Sequence, residues 1–95
     1  MTSASARLTL VNKRGLHARA SNKFMECVMR YDANVRVLSH NNVSQECVEA
    51  DSVMDLLLLG SACGEDITVS AEGPEANIVV EALTKLVENG FGEYE

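Results

Sequence analysis

Apolar residues in this chain switch several times between a two-residue and a three-to-four-residue spacing, and the order of those switches constrains the fold most. Arg7-Leu8-Thr9-Leu10-Val11-Asn12 alternates, which predicts a first strand with Leu8 and Leu10 facing inward. From Ala18 to Tyr31, the positions Ala20, Phe24, Cys27, Val28 and Tyr31 fall on one face of a helix. Val35 and Val37 alternate with polar neighbours in a second strand. His40-Asn41-Asn42 marks a turn, with His40 a solvated turn residue, and Val43 to Val48 returns as a third strand. Ser52 is placed to cap a short helix through Leu59 that Gly60 closes. Ile67, Val69 and Ala71 alternate in a fourth strand. Gly73-Pro74-Glu75 then opens a last helix, whose apolar face runs from Ala76 to Val87 and which ends at Gly90. The order is βαββαβα. Polar residues on the alternate strand positions predict an α+β fold with helices on one side of the sheet only.

Ninety-five residues fit a single domain, 1–95, with a core from about residue 6 to 93. The longest uninterrupted leucine run, Leu56 to Leu59, is far short of a membrane span. The opening Met1-Thr2-Ser3-Ala4-Ser5-Ala6 has neither a basic start nor an apolar stretch, so the expected location is cytoplasmic. Cys27, Cys47 and Cys63 are odd in number and match no metal-ligand spacing, which predicts small buried or half-buried thiols and no metal site. Seven of the eight Lys/Arg lie in residues 1–36 with only Glu26 and Asp32 for company, while the remainder is acidic. Such a positive segment can attract phosphate or an acidic partner. It is too small and too poor in aromatics for a nucleic-acid surface.

The segment Lys13-Arg14-Gly15-Leu16-His17-Ala18-Arg19 carries the chemistry. Gly15 permits a tight turn, and His17 then stands where the helix begins. Free amide groups and the positive dipole end make that an anion site. Arg19 is one turn inside and can clamp a phosphate through two N–H bonds, while Lys13, Arg14 and Lys23 add field. No carboxylate lies near His17 in sequence, which favours a phosphoryl acceptor over a general base. From residue types alone, a plain surface histidine ahead of a helix fits as well.

Gly-Leu-His-Ala-Arg at 15–19, Asp51-Ser52-Val53-Met54-Asp55-Leu56-Leu57, and the closing Val87-Glu88-Asn89-Gly90-Phe91-Gly92-Glu93 together resemble HPr. HPr is the histidine-containing phosphocarrier family of the bacterial phosphoenolpyruvate phosphotransferase system. The similarity runs from about Arg7 to Glu93, and the Ser52-Val53-Met54 and Gly-Phe-Gly-Glu stretches are most similar to its nitrogen-branch members, NPr. The resemblance implies an open-faced β-sandwich, a four-stranded antiparallel sheet in the order 1-4-2-3 with three helices on one face. It implies a carrier rather than an enzyme, with no cofactor. His17 would accept phosphate on Nδ1 from enzyme I and pass it to an enzyme IIA domain, with Ala18 and Arg19 binding the phosphate. Ser52 matches a serine that a dedicated kinase phosphorylates in some bacteria. Ala20 stands where the family usually has proline, and Asp55 where glycine is common.

The short helix carries more apolar residues than one buried face needs. Leu56 and Leu59 read as core, and Val53, Met54 and Leu57 as a docking surface. Met25 and Met29 read as core contacts. A monomer is expected, since a carrier presents one face to successive partners. The alternative function is a regulatory binding module, whose docking is controlled by phosphorylation at His17 or Ser52.

Overall fold

The structure, a computed structural model, describes residues 2–40 and 47–93. Strand β1 (Ser3–Thr9) is followed by helix α1 (Ala18–Met29), strands β2 (Asn34–Ser39) and β3 (Cys47–Glu49), helix α2 (Val53–Leu58), strand β4 (Asp66–Glu72) and helix α3 (Ala76–Glu88). A 3-10 turn, Gly90–Gly92, follows α3. The four strands form one antiparallel sheet in the order β1-β4-β2-β3, the arrangement that the family resemblance implies.

Leu8, Val35, Val37, Ile67, Val69 and Ala71 point from the sheet into the core. Phe24 and Val28 from α1, Leu56 from α2, and Val79, Leu83 and Val87 from α3 cover them. Burying a side chain such as Phe24 contributes roughly 2–3 kcal/mol. Helix α3 packs on β1 and β4, and α1 packs against both other helices. Arg7, Thr9, Arg36, Ser70 and Glu72 stay exposed on the opposite sheet face, so only one side of the sheet is covered.

Strand β1 begins earlier than its alternation predicts. Its first residues, Ser3 to Ala6, pair with Glu72 to Val69 of β4, which recruits a segment with little hydrophobic signal of its own. Leu10 lies beyond the strand yet stays fully buried, exchanging backbone bonds with Glu65 (3.0 Å) and Gly64 (2.8 Å). Ser52 caps α2 as expected, its Oγ accepting from the Asp55 N–H at 3.3 Å. Before α3, the Glu75 carboxylate accepts from the Asp32 N–H at 2.7 Å, tying the end of the α1–β2 connection to the start of the last helix.

Three expectations need correction. His40 is half-buried, its Nε2 2.7 Å from Thr68 Oγ1 on β4, because its position at the end of β2 brings the ring alongside that strand. Met29 is 65% exposed at the last position of α1, whereas Met25 packs against the core. Cys47 and Cys63 are exposed, and only Cys27 is buried. Burial pushes the Cys27 thiol up, and Arg30 draws it partway back. The expected turn at Asn41-Asn42 and the expected strand start at Val43 lie outside the described residues; β3 is described over Cys47–Glu49.

On the open sheet face, Asp66 accepts from the Thr9 hydroxyl (2.6 Å) and from Arg7 Nε (2.8 Å). The Thr9 bond first and the Arg7 bond second hold its carboxyl below the ordinary aspartate value. A carboxylate lowered on folding contributes stability above its unfolded pKa and loses it as pH falls through the folded value. Asp66→Asn is therefore expected to be modestly less stable than the parent at neutral pH, with the gap closing on acidification. Urea denaturation at a series of pH values measures that difference.

Candidate functional site

The chain leaves β1 through a turn that ends in His17. Gly15 adopts φ +62° and its N–H bonds the Asn12 carbonyl at 3.1 Å. A Cβ at Gly15 would stand 2.7 Å from Ala62 Cα and closer still to the Ser61 carbonyl, so the loop needs glycine on two counts. Leu16 buries its side chain and donates its N–H to Ser61 O at 3.0 Å, pinning the turn to the segment after α2. His17 follows as the N-cap of α1, in extended conformation. Its Nδ1 accepts from the Arg19 N–H at 3.3 Å, so the ring nitrogen faces the free amides of the first helical turn. Ala20 continues α1 with its side chain fully buried; the helix starts here without proline.

The other ring nitrogen has a partner from the far end of the chain. Nε2 hydrogen-bonds to Glu93 Oε2, with the imidazole 23% and the carboxylate 10% exposed. Glu93 arrives there because Gly90 (φ +61°), Phe91 (φ +57°) and Gly92 (φ +72°) turn the backbone back over α1. Phe91 is buried in the core despite its left-handed backbone, and Lys23 Nζ donates to its carbonyl at 2.6 Å. Burial and that bond offset the strain of a non-glycine residue at positive φ.

The side chains of Lys13, Arg14, Arg19 and Lys23 line an open cavity of about 630 Å³ together with His17 and Glu93. The basic residues singled out in the sequence thus converge on the histidine. Ser52, Val53, Met54 and Leu57 do not line this cavity; they sit on or beside α2, which packs against α1. Among them Met54 is 68% exposed and Val53 and Leu57 are half-buried, while Leu56 and Leu59 are core as expected. Leu58, given no role from the sequence, is the most exposed large apolar residue on α2 at 72%.

His17 has no carboxylate near it in sequence, yet the fold brings it one from 76 positions away, Glu93. Asn12 was missed as well. Its carboxamide nitrogen donates to Gly15 O at 2.8 Å and to Glu93 Oε1 at 3.1 Å. Neither contact has a local sequence signal, although Gly90-Phe91-Gly92 announces a sharp turn near the end of the chain. The site thus sets the imidazole in a cation-lined cavity, with Nδ1 at the Arg19 N–H and a carboxylate on Nε2. Among the described residues no group of three or more His, Cys, Asp or Glu could hold a metal ion, and no helix is long and apolar enough to cross a membrane.

A family model described as the PTS HPr component phosphorylation site matches residues 4–89. The chain belongs to the PTS-HPr family. It is 35% identical over 88 residues to the phosphocarrier protein HPr of Pseudomonas aeruginosa, spanning 93% of this chain and 94% of that protein. It is 40% identical over 84 residues to the phosphocarrier protein NPr of Escherichia coli K12, spanning 88% and 90%. The crystal structure of HPr from Bacillus anthracis superposes with a TM-score of 0.82 at 28% identity, covering 92% of this chain and 99% of that one. HPr-family proteins are phosphocarriers of the phosphotransferase system rather than catalysts. The fold and the sequence family therefore agree.

Proposed function

We propose that this protein is a phosphocarrier that takes a phosphoryl group onto His17 Nδ1 from phospho-enzyme I and hands it to an enzyme IIA domain. The observation that carries this reading is the opposed environment of the two ring nitrogens. Nδ1 looks toward the amide end of α1 in a cation-lined cavity, and Nε2 is held by the Glu93 carboxylate. As the Nδ1 lone pair forms the N–P bond, the bond from phosphorus to the donor breaks and its electron pair leaves with the donor. The ring then carries positive charge, which Glu93 balances through Nε2–H. Lys13, Arg14, Arg19 and Lys23 offset the charge of the incoming phosphoryl oxygens, while the Ala18 and Arg19 amides stand at the helix end that faces them. Transfer onward is the reverse displacement, with the acceptor's lone pair attacking phosphorus and the imidazole leaving. An open cavity suits a group that must be passed on.

In this reading the protein works as a cytoplasmic monomer, a single domain over 1–95 with its core at about 6–93. The apolar surface beside the site, Met54 with its half-buried neighbours Val53 and Leu57, supplies contact area for enzyme I and the enzyme IIA domain. Met54 and Leu58 are spaced one turn apart and both exposed, so Leu58 joins that surface. The regulatory-module alternative uses the same surface and controls docking by phosphate on His17 or on Ser52. Phosphate on Ser52, supplied by a serine kinase, would take up the hydroxyl that now caps α2 and add charge beside the docking residues.

The test is intact mass after incubation with phosphoenolpyruvate and a bacterial enzyme I, before and after mild acid. One phosphoryl group per chain, removed by acid, is the expected result; no mass gain with any enzyme I would overturn the carrier reading. In the same assay Arg19→Ala is expected to slow uptake roughly 10–100-fold, the worth of a charge-assisted hydrogen bond to phosphate. An unchanged rate would remove Arg19 from the phosphate contacts.

A further inference from the structure

We propose that Asn12 is a positioning residue of the phosphoacceptor, one that sets the tautomer of His17 through Glu93; its effect on transfer rests on the carrier reading above. Asn12 stands just after β1 and is 4% exposed. Its two contacts, Gly15 O at 2.8 Å and Glu93 Oε1 at 3.1 Å, are to oxygens that can only accept, so the carboxamide must present its nitrogen to both. That choice leaves Oδ1 buried with no hydrogen-bond partner among the described residues. A buried amide with an unmatched acceptor weakens a fold, so its contribution lies in its two donors.

Both donors end on groups that hold His17. The Gly15 carbonyl also accepts the His17 backbone N–H at 2.9 Å, and the second oxygen of Glu93 meets His17 Nε2. One carboxamide therefore grips the turn that carries the histidine and the carboxylate that orients its ring. The grip matters because Lys13, Arg14, Arg19 and Lys23 line the same cavity and attract any carboxylate there. With Oε1 fixed by Asn12, Oε2 stays on the imidazole. A carboxylate can only accept from Nε2, so the neutral ring keeps its proton on Nε2 and leaves Nδ1 unprotonated. The Arg19 N–H pointing at Nδ1 is consistent with that tautomer.

The test is 15N NMR of the His17 ring, at a pH where it is neutral, in the parent, Asn12→Ala, Glu93→Ala and the double variant. The parent should show the Nε2–H tautomer, and each single variant a mixture of both tautomers. Initial rates of enzyme I-dependent phosphorylation should fall about tenfold in Asn12→Ala, the usual scale for losing an orienting partner. In the Glu93→Ala background, the Asn12 change should have no further effect on tautomer or rate. A folded Asn12→Ala with the parental tautomer overturns the proposal. So does a further Asn12 effect of undiminished size in the Glu93→Ala background, which would assign the residue to the Gly15 turn alone. Should Asn12→Ala fail to fold, Glu93→Ala decides: a parental tautomer there removes the link on which Asn12 depends, and a mixture upholds it. Failure of the parent to take up phosphate would sink the carrier reading while leaving the tautomer measurements to judge Asn12.

Discussion

Replacing His17 with alanine is expected to abolish enzyme I-dependent phosphate uptake while the fold survives. The phosphoacceptor role rests on one nitrogen, and no other imidazole lines the cavity. His40, the other histidine, follows β2 and bonds Thr68 on β4. The structural cost of the change is small because the imidazole is partly exposed and packs no core. What is lost is the N-cap contact to the Arg19 N–H, worth about 1 kcal/mol, together with the bond to Glu93. Circular dichroism should therefore show the parental spectrum with a slightly lower Tm, and intact mass should show no added phosphoryl group. A variant that still gained one acid-labile group would place the acceptor elsewhere.

Gly15→Ala should produce the largest loss of stability among substitutions near the site. Two costs combine at this position. The backbone is at φ +62°, where any residue with a Cβ is strained. The new carbon would also press on the backbone at Ser61 and Ala62, which cannot move aside as a flexible side chain can. The neighbouring Leu16 N–H to Ser61 O bond holds the two segments together, so relief of the clash must break or stretch it. A loss of at least about 2 kcal/mol is expected, lowering Tm by roughly 10 °C in a domain of this size. Phosphate uptake should fall with it, because His17 is two residues away on the same turn. A thermal melt matching the parent would mean that the segment after α2 can yield.

Departures from the sequence-based expectations have specific origins. β1 extends back to Ser3 because β4 offers it a partner, and pairing outweighs the weak propensity of Ser-Ala-Ser-Ala. Asn41-Asn42 is turn-like in sequence and predicts a solvated His40, whereas cross-strand proximity to Thr68 governs its side chain. Leu58 and Met54 are exposed together because the six-residue helix α2 presents only a narrow face to the core, filled by Leu56.

From the sequence alone came the element order, the place of His17 at the start of the first helix, the cap at Ser52, and the basic residues gathered around the Gly15–Arg19 turn. Periodicity, capping and glycine placement act over a few residues, so they can be read locally. The resemblance of the Gly-Leu-His-Ala-Arg segment to HPr supplied the sheet order. Glu93 on Nε2 and Asn12 behind Glu93 were decided by tertiary structure, joining residues 76 and 81 positions apart. No local pattern encodes such a meeting. It exists because α3 returns along the sheet and its left-handed exit at Gly90–Gly92 lays the end of the chain across the start of α1.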